Sequence, residues 1–332
     1  MSFKVLSLFD GMSCAQIALN RIGIKDYTYY ASEIDKHAIK VTMANYPNTI
    51  QLGDVTKIKG SDLGHIDLLV GGSPCQGFSF AGKQLNFNDP RSALFFEYVR
   101  ILKELKEINP NVKFLLENVR MKKESQDVIS EQLGVQPVMI NSALLSAQNR
   151  VRLYWANFEI TQPKDKGILL KDILETGATE RDKSLCIDAN YFKGGSLKNY
   201  LEKRRRQLVM QVNPDKKAGG KQPRQQDRVY LDEGKSTALT SFSDRLNVGF
   251  SQSEQRLSMV YEKSPTLTTS LTNDHILNFE EIKFRKLSVI ECERLQTVPD
   301  NYTNQVSNTQ RYKMLGNGFT VDVIAHILKG IL

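Results

Sequence analysis

Cysteine is sparse in this chain and scattered: Cys14, Cys75, Cys186 and Cys292 form no C-x-x-C pair. That spacing suggests neither a disulfide framework nor a cysteine-rich zinc site, no metal is expected, and a reducing compartment fits. No apolar run approaches membrane-spanning length, and the first residues lead straight into a strand pattern. A soluble cytoplasmic protein with no membrane partner is expected. The G-x-G-x-x-G fingerprint is also missing, which argues against a pyrophosphate-binding dinucleotide fold.

What is present is ordinary in bulk and uneven in charge. The 332 residues allow one large or two modest domains, and 40% hydrophobic with 25% charged residues is usual for a globular protein. Net charge is +8, and residues 198–228 hold ten Lys and Arg against three Asp and Glu. A basic block is commonly a solvated face. Concentrated in one segment of a near-neutral chain, it also suits a polyanion.

Lys4–Phe9 reads as a strand, and Asp10-Gly11-Met12-Ser13 turns it into an amphipathic helix. A glycine turn feeding a helix N-terminus lets backbone approach a ligand and offers unpaired N–H groups. A second strand, Tyr27–Ser32, ends in Glu33-Ile34-Asp35, and Glu33 lies 22 residues past Gly11. An acid there can accept both ribose hydroxyls of a nucleoside cofactor. Asp54 follows another short apolar run and could accept from an adenine amino group. One such acid is usually a surface residue or helix cap; three at successive strand ends read better as a cofactor pocket.

Ile66–Val70 reads as a buried strand broken by Gly71-Gly72-Ser73-Pro74, which sets Cys75 on a rigid turn at the edge where open parallel sheets bind ligands. A lone cysteine packs as a small hydrophobe about as often as it reacts. The specialised loop Gly72–Ser79 favours reaction. A polar loop over 76–88 reads as a lid, and Asp89-Pro90 as the start of the next helix. Val112–Leu116 is a further strand, ending in Glu117-Asn118-Val119, whose acid would open on the same crevice as Cys75. Before the apolar stretch 153–158, Gln148, Arg150 and Arg152 alternate onto one face if extended, either a solvated strand or a rake for anions and carbonyls.

Residues 165–284 are polar, with a weak repeat of Val229–Thr240 in Val260–Thr268, and suggest an irregular, mostly β domain. Regularity returns with a helix after Ser288 and a glycine turn, Gly316-Asn317-Gly318, feeding a helix over 321–328.

Taken in order, these landmarks resemble the cytosine-C5 DNA methyltransferases over nearly the whole chain. Phe9-Asp10-Gly11 resembles the cofactor motif, Gly72–Gln76 the nucleophile motif and Glu117-Asn118-Val119 the E-N-V motif. Gln148-x-Arg150-x-Arg152 resembles the Q-x-R-x-R motif, Arg285–Asp300 the segment closing the target-recognition domain, and Gly316–Gly318 the final motif. P-C-Q or E-N-V alone carries little; six motifs in order are specific. Ser13 stands where the family has its second glycine. Phe9–Gly11 and Glu291–Gln296 lean toward the animal de novo enzymes, yet the length leaves no room for their reader domains, which points to the compact phage or bacterial type.

The resemblance implies an α/β Rossmann-like S-adenosylmethionine-dependent domain over 1–164, a smaller, irregular, mostly β target-recognition domain over 165–300, and a return to the catalytic domain over 301–332. It implies transfer of methyl from S-adenosylmethionine, leaving S-adenosylhomocysteine, to C5 of a cytosine flipped from duplex DNA. Catalytic roles fall to Cys75, adding to C6, Glu117, neutralising N3, and Arg150 and Arg152, holding the flipped nucleotide. Cofactor contacts fall to Phe9, Asp10, Gly11, Met12, Glu33, Ile34, Asp54, Val55, Asn317 and Phe319. Ser73, Pro74, Gln76, Ser79, Asn118 and Gln148 would shape the base pocket. The basic segment and the Thr-rich repeats would grip phosphates and approach the major groove, with Thr266 and Thr268 as weak candidates for base contact. Expected partners are double-stranded DNA, bound by a monomer, and a cognate restriction endonuclease. Three alternatives stay open: a tRNA cytosine-C5 methyltransferase, a non-catalytic DNA-binding paralogue, and an NAD-dependent oxidoreductase, the last disfavoured by the missing fingerprint.

Overall fold

Continuous runs of buried side chains along short strands build the centre of the molecule. The computed structural model describes residues 2–73, 90–211, 247–251, 256–260, 274–278 and 283–332. Strands β1 (Phe3–Leu8), β2 (Tyr27–Ser32), β3 (Ile50–Gln51), β4 (Leu68–Gly71), β5 (Lys113–Val119), β6 (Val138–Asn141) and β7 (Val151–Ala156) form one sheet in the order β3-β2-β1-β4-β5-β7-β6. Val5, Leu68, Val70 and Leu115 point to one face, and Leu6, Leu69, Phe114 and Leu116 to the other, all fully buried. Each contributes about 1.5–3 kcal/mol by leaving water. With both faces covered, the strands read as continuous apolar runs.

The first face carries α1 (Cys14–Arg21) and two helices from the far end of the chain, α6 (Val289–Leu295) and α8 (Val321–Leu328). The second carries α3 (Pro90–Ile108) and α4 (Lys123–Leu133). Helix α2 (Lys36–Asn45) follows β2, with Asp35 capping its first turn by accepting from His37 N–H at 2.9 Å. Leu287, Val289, Cys292 and Leu295, which the sequence groups with the recognition stretch, bury in the same cluster as α1 and α8. Two acids on α6 are fully buried and paired: Glu291 accepts from Arg285 Nη2 at 2.7 Å, Glu293 from Arg311 Nη2 at 3.0 Å. They tie the end of the polar stretch over 165–284 to the core.

β1, β2, β3, β4 and β5 run parallel, whereas β7 pairs antiparallel with both β5 and β6. The α/β expectation is borne out; the reversal of β7 was not foreseen, and it matters. An antiparallel strand begins beside its neighbour's end, so Arg152 pairs in register with Val119 at the sheet edge that carries Glu117. The chain departs from β1 toward β2 on one side and reaches β4 on the other, which makes the edge beyond β1 and β4 a topological switch point.

Beyond the sheet, α5 (Leu197–Lys203) precedes β8 (Leu208–Gln211), and β9 (Asn247–Ser251), β10 (Arg256–Val260) and β11 (Asp274–Asn278) form a three-stranded antiparallel sheet. β12 (Lys283–Lys286) pairs antiparallel with β8. These short strands agree with the mostly β reading of that stretch. Helix α7 (Asn308–Asn317) then leads into α8. No helix among the described residues is long and apolar enough to cross a membrane.

Candidate active site

At the switch point lies a cavity of about 400 Å³. Phe9, Asp10 and Gly11 reach it from the end of β1, Glu33 and Asp35 from the end of β2, and Gly72 and Ser73 from the end of β4. Glu117, Asn118 and Val119 arrive from β5, Arg150 and Arg152 from the start of β7, and Lys313, Met314, Asn317, Gly318 and Phe319 from α7 and its C-terminal turn. Residues of five separate sequence motifs thus converge.

The β1–α1 turn is tight: Phe9, Gly11 and Ser13 all adopt left-handed backbone, with φ of 58°, 60° and 58°. Ser13 takes the conformation a glycine would take there more cheaply. Its hydroxyl donates to Asp10, which offsets part of that cost. Asp10 also accepts from Tyr29 OH at 2.7 Å. Burial pushes the Asp10 carboxyl up to about 6 against these hydrogen bonds, and the nearby Glu33 charge adds to the rise. Glu33 fixes the turn from the opposite side, accepting from Gly11 N–H at 2.8 Å, and from the N–H groups of Ile34 and Asp35 at 2.8 Å. Cys14, buried on the cavity wall, is pushed up to about 12 by burial and stays a neutral thiol.

At the other end, Arg152 Nε stands 3.0 Å from Glu117 Oε1, a diagonal cross-strand pair made possible by the reversed β7. Burial works against the charge on Arg152, and Glu117, Cys186 and Tyr154 outweigh it, so its pKa is raised. Asn118 Nδ2 donates to Ser73 Oγ at 3.1 Å, tying the end of β5 to the segment that follows β4. Gly72 allows close approach: a Cβ there would lie 2.8 Å from Phe319 Cε1 and 3.3 Å from Glu117 Oε2.

Gln148, Arg150 and Arg152 do not form a common rake. β7 begins at Val151, so the first two precede it, and they are spent elsewhere. Gln148 is fully buried, accepting from Ile187 N–H at 2.8 Å and donating to Gln296 Oε1 at 3.3 Å, and it does not line the cavity. Arg150 lines it, but its fork donates to the carbonyls of Ile187 at 3.1 Å, Gly316 at 3.1 Å and Gly318 at 3.0 Å. Burial, with Arg152 nearby, lowers its pKa.

Four expected cofactor residues also lie off the cavity wall. Met12 is buried behind the turn, its carbonyl accepting from Tyr302 OH at 2.8 Å. Ile34 is 77% exposed. Asp54 caps a 3-10 turn, accepting from Thr56 N–H at 3.0 Å, and Val55 is buried against the α3 side of the sheet. Pro74, Cys75, Gln76 and Ser79, the expected lid over 76–88, and Thr266 and Thr268 all lie outside the described residues. Sequence reasoning did not single out Cys14, Asp35, Lys313 or Met314 for the cavity. Lys313 had a signal, since it sits one helical turn before Asn317 and so on the same face.

The chain belongs to the C-5 cytosine-specific DNA methylase family, whose model matches residues 3–332. The resemblance drawn from the motifs is thereby borne out. Among its relatives, the Type II methyltransferase M1.ScrFI of Lactococcus lactis subsp. cremoris is 30% identical, with 99% of this chain and 78% of that protein covered. The orphan methyltransferase M.SPRI of Bacillus phage SPR is 29% identical, covering 99% and 97%, and the Type II methyltransferase M.HhaI of Haemophilus parahaemolyticus 26%, covering 99% and 94%. Among solved structures, a mutant of Spodoptera frugiperda DNMT2 superposes with a TM-score of 0.62 at 20% identity over 99% of both chains. The Entamoeba histolytica methyltransferase EhMeth gives 0.62 at 14%, covering 100% and 98%. These structures share the fold.

Proposed function

We propose that this protein is a DNA (cytosine-5-)-methyltransferase that methylates C5 of a flipped cytosine in a specific duplex sequence, through a covalent bond between Cys75 and C6. The observation that carries the reading is the convergence of Glu33, Ser73, Glu117, Asn118 and Arg152 on one cavity at the switch point.

The donor set fits S-adenosylmethionine. Glu33 is held by three backbone N–H groups and lines the cavity, as an acceptor for vicinal ribose hydroxyls needs to. Phe9 and the exposed Ile34 offer apolar surface for a purine, and Asp54 an acceptor for its amino group. Gly11, Asp10, Asn317 and Phe319 line the rest, with Met12 and Val55 supporting from behind. When bound, the cofactor supplies an electrophilic methyl on a sulfonium and leaves as S-adenosylhomocysteine.

The residues then divide the difficulty of the reaction. The Cys75 thiolate forms a bond to C6 while the ring π electrons shift toward N3, where Glu117 neutralises the growing charge. C5 becomes an enamine carbon able to take the methyl. Loss of the C5 proton and cleavage of the S–C6 bond return the thiolate. Acid help of this kind is worth roughly 10²–10⁴-fold. Arg152 orients Glu117 and the nucleotide, and Arg150 braces the pocket wall. Ser73, Asn118, Pro74, Gln76, Ser79 and Gln148 shape and support the base pocket. Exposed Lys203, at the end of α5, and Arg204 and Arg205 just after it would meet phosphates, which set register without reading sequence. A monomer acting in the cytoplasm of a bacterial or phage-infected cell, with a cognate restriction endonuclease as candidate partner, follows from the same reading.

The test is transfer of labelled methyl from S-adenosylmethionine to mixed-sequence duplex DNA, with tRNA and Cys75→Ala as parallel samples. Label on DNA cytosine that vanishes in the variant is expected. Label on tRNA, or turnover without Cys75, overturns the proposal.

A further inference from the structure

The cavity's charged groups are committed unequally. Arg150 spends its fork on the carbonyls of Ile187, Gly316 and Gly318. Arg152 is paired with Glu117 and donates to the Val151 carbonyl. Lys313, the other cation on the wall among the described residues, has one partner, Asp35 Oδ2 at 3.2 Å, and its side chain is 49% exposed. An ammonium has three donors, so two remain. An ion pair this exposed is worth little, and exchanging its acid for another costs little.

Its place is as telling as its valence. Lys313 lies four residues before Asn317 on α7, so both present the same helical face to the cavity. Asp35 follows Glu33 by two residues and donates its N–H to it at 2.8 Å, which sets Lys313 close to the acid that fits a ribose. A ligand held there by its nucleoside and carrying an amino acid brings one carboxylate into a space already lined by Asp10, Glu33 and Asp35. Three acids repel it, and one cation with spare donors can receive it.

We propose that Lys313 receives the α-carboxylate of the cofactor's amino-acid end, moving from Asp35 to the ligand on binding. This rests on the reading of the cavity as a site for S-adenosylmethionine. Lys313 is thereby a specificity residue: it separates ligands with the amino-acid carboxylate from nucleosides without it.

The experiment is calorimetric titration of the full-length protein with S-adenosylhomocysteine and with 5′-methylthioadenosine, which keeps the thionucleoside and lacks the amino acid. Lys313→Gln should weaken S-adenosylhomocysteine about tenfold, the lower end for a charge-assisted hydrogen bond, and leave 5′-methylthioadenosine within about twofold. Asp35→Asn, which keeps a good helix cap, should bind S-adenosylhomocysteine at least as tightly as the parent. Equal weakening of both ligands by Lys313→Gln, or equal loss in Asp35→Asn, would make the pair a structural clasp and overturn the proposal, as would no change. Failure of the parent to bind S-adenosylhomocysteine at all would overturn the cofactor reading beneath it.

Discussion

Replacing Gly72 by alanine should separate the chemistry of the site from the stability of its scaffold. Gly72 does not have left-handed backbone, so alanine brings no conformational penalty of its own. Its methyl would meet Phe319 Cε1 at 2.8 Å, Phe319 Cζ at 3.1 Å and Glu117 Oε2 at 3.3 Å. Normal carbon contacts need about 3.5–4.0 Å, so the ring and the carboxylate must each give way by several tenths of an ångström. Phe319 is only half-buried and can turn aside, which keeps the folding cost at the low end of overpacking, about 1 kcal/mol. Glu117 is less free, because Arg152 holds its other oxygen at 3.0 Å. Under the proposed mechanism, displacing Glu117 costs on the order of a hundredfold in rate. Methyl transfer by Gly72→Ala should therefore fall about a hundredfold while its melting temperature drops only a few degrees. In a Phe319→Ala background the same substitution should no longer lower the melting temperature but should still slow transfer, because the ring clash is gone and the contact with Glu117 remains. Full activity in Gly72→Ala, or recovery of its rate on removal of Phe319, would refute the geometry.

Arg311→Ala should destabilise the fold by about 3–5 kcal/mol, read by urea unfolding, since it strands Glu293, fully buried, without its cation. Arg311→Lys should recover part of that. The folded protein holds the Asp10 proton up to about pH 6, above the ordinary carboxylate value of 3.8. Its contribution to stability is thus complete below about pH 4 and is lost as pH rises through about 6, up to about 3 kcal/mol. Asp10→Asn should flatten that limb in thermal melts across pH 4–7; an unchanged slope would assign it to another group. Arg150→Lys should lose at least two of the three carbonyl contacts of the guanidinium fork and lower the melting temperature by several degrees, with activity falling in parallel; an unaltered melt would contradict its bracing role.

Much of the catalytic half could be read from the residues. β2 over Tyr27–Ser32, α8 over Val321–Leu328 and the Ser288 cap of α6 stand where periodicity and capping chemistry set them. Local signals suffice for such elements, because their determinants lie within one or two turns. The direction of β7 was not legible, since an apolar run reads alike both ways, and with it went the Glu117–Arg152 pairing. The divergence of Gln148 and Arg150 was hidden for another reason: their partners Gln296, Gly316 and Gly318 lie some 150 residues onward in sequence. Ser13 looked like a departure from the cofactor turn. It takes left-handed backbone, and its hydroxyl donates to Asp10. Lys313 was not singled out from the sequence, and the fold brings it to the cavity that Glu33 lines.

The most direct test of the central claim is to trap the bond between Cys75 and cytosine C6. Duplex DNA with 5-fluorocytosine at the target position, incubated with S-adenosylmethionine, leaves no proton at C5 to remove, so the S–C6 bond cannot be broken by elimination. A denaturant-resistant protein–DNA adduct, mapped by peptide mass to Cys75 and missing in Cys75→Ala, is predicted. Methylation of ordinary cytosine by the same preparation, with no adduct on the fluorinated duplex or with an adduct on another residue, would contradict it.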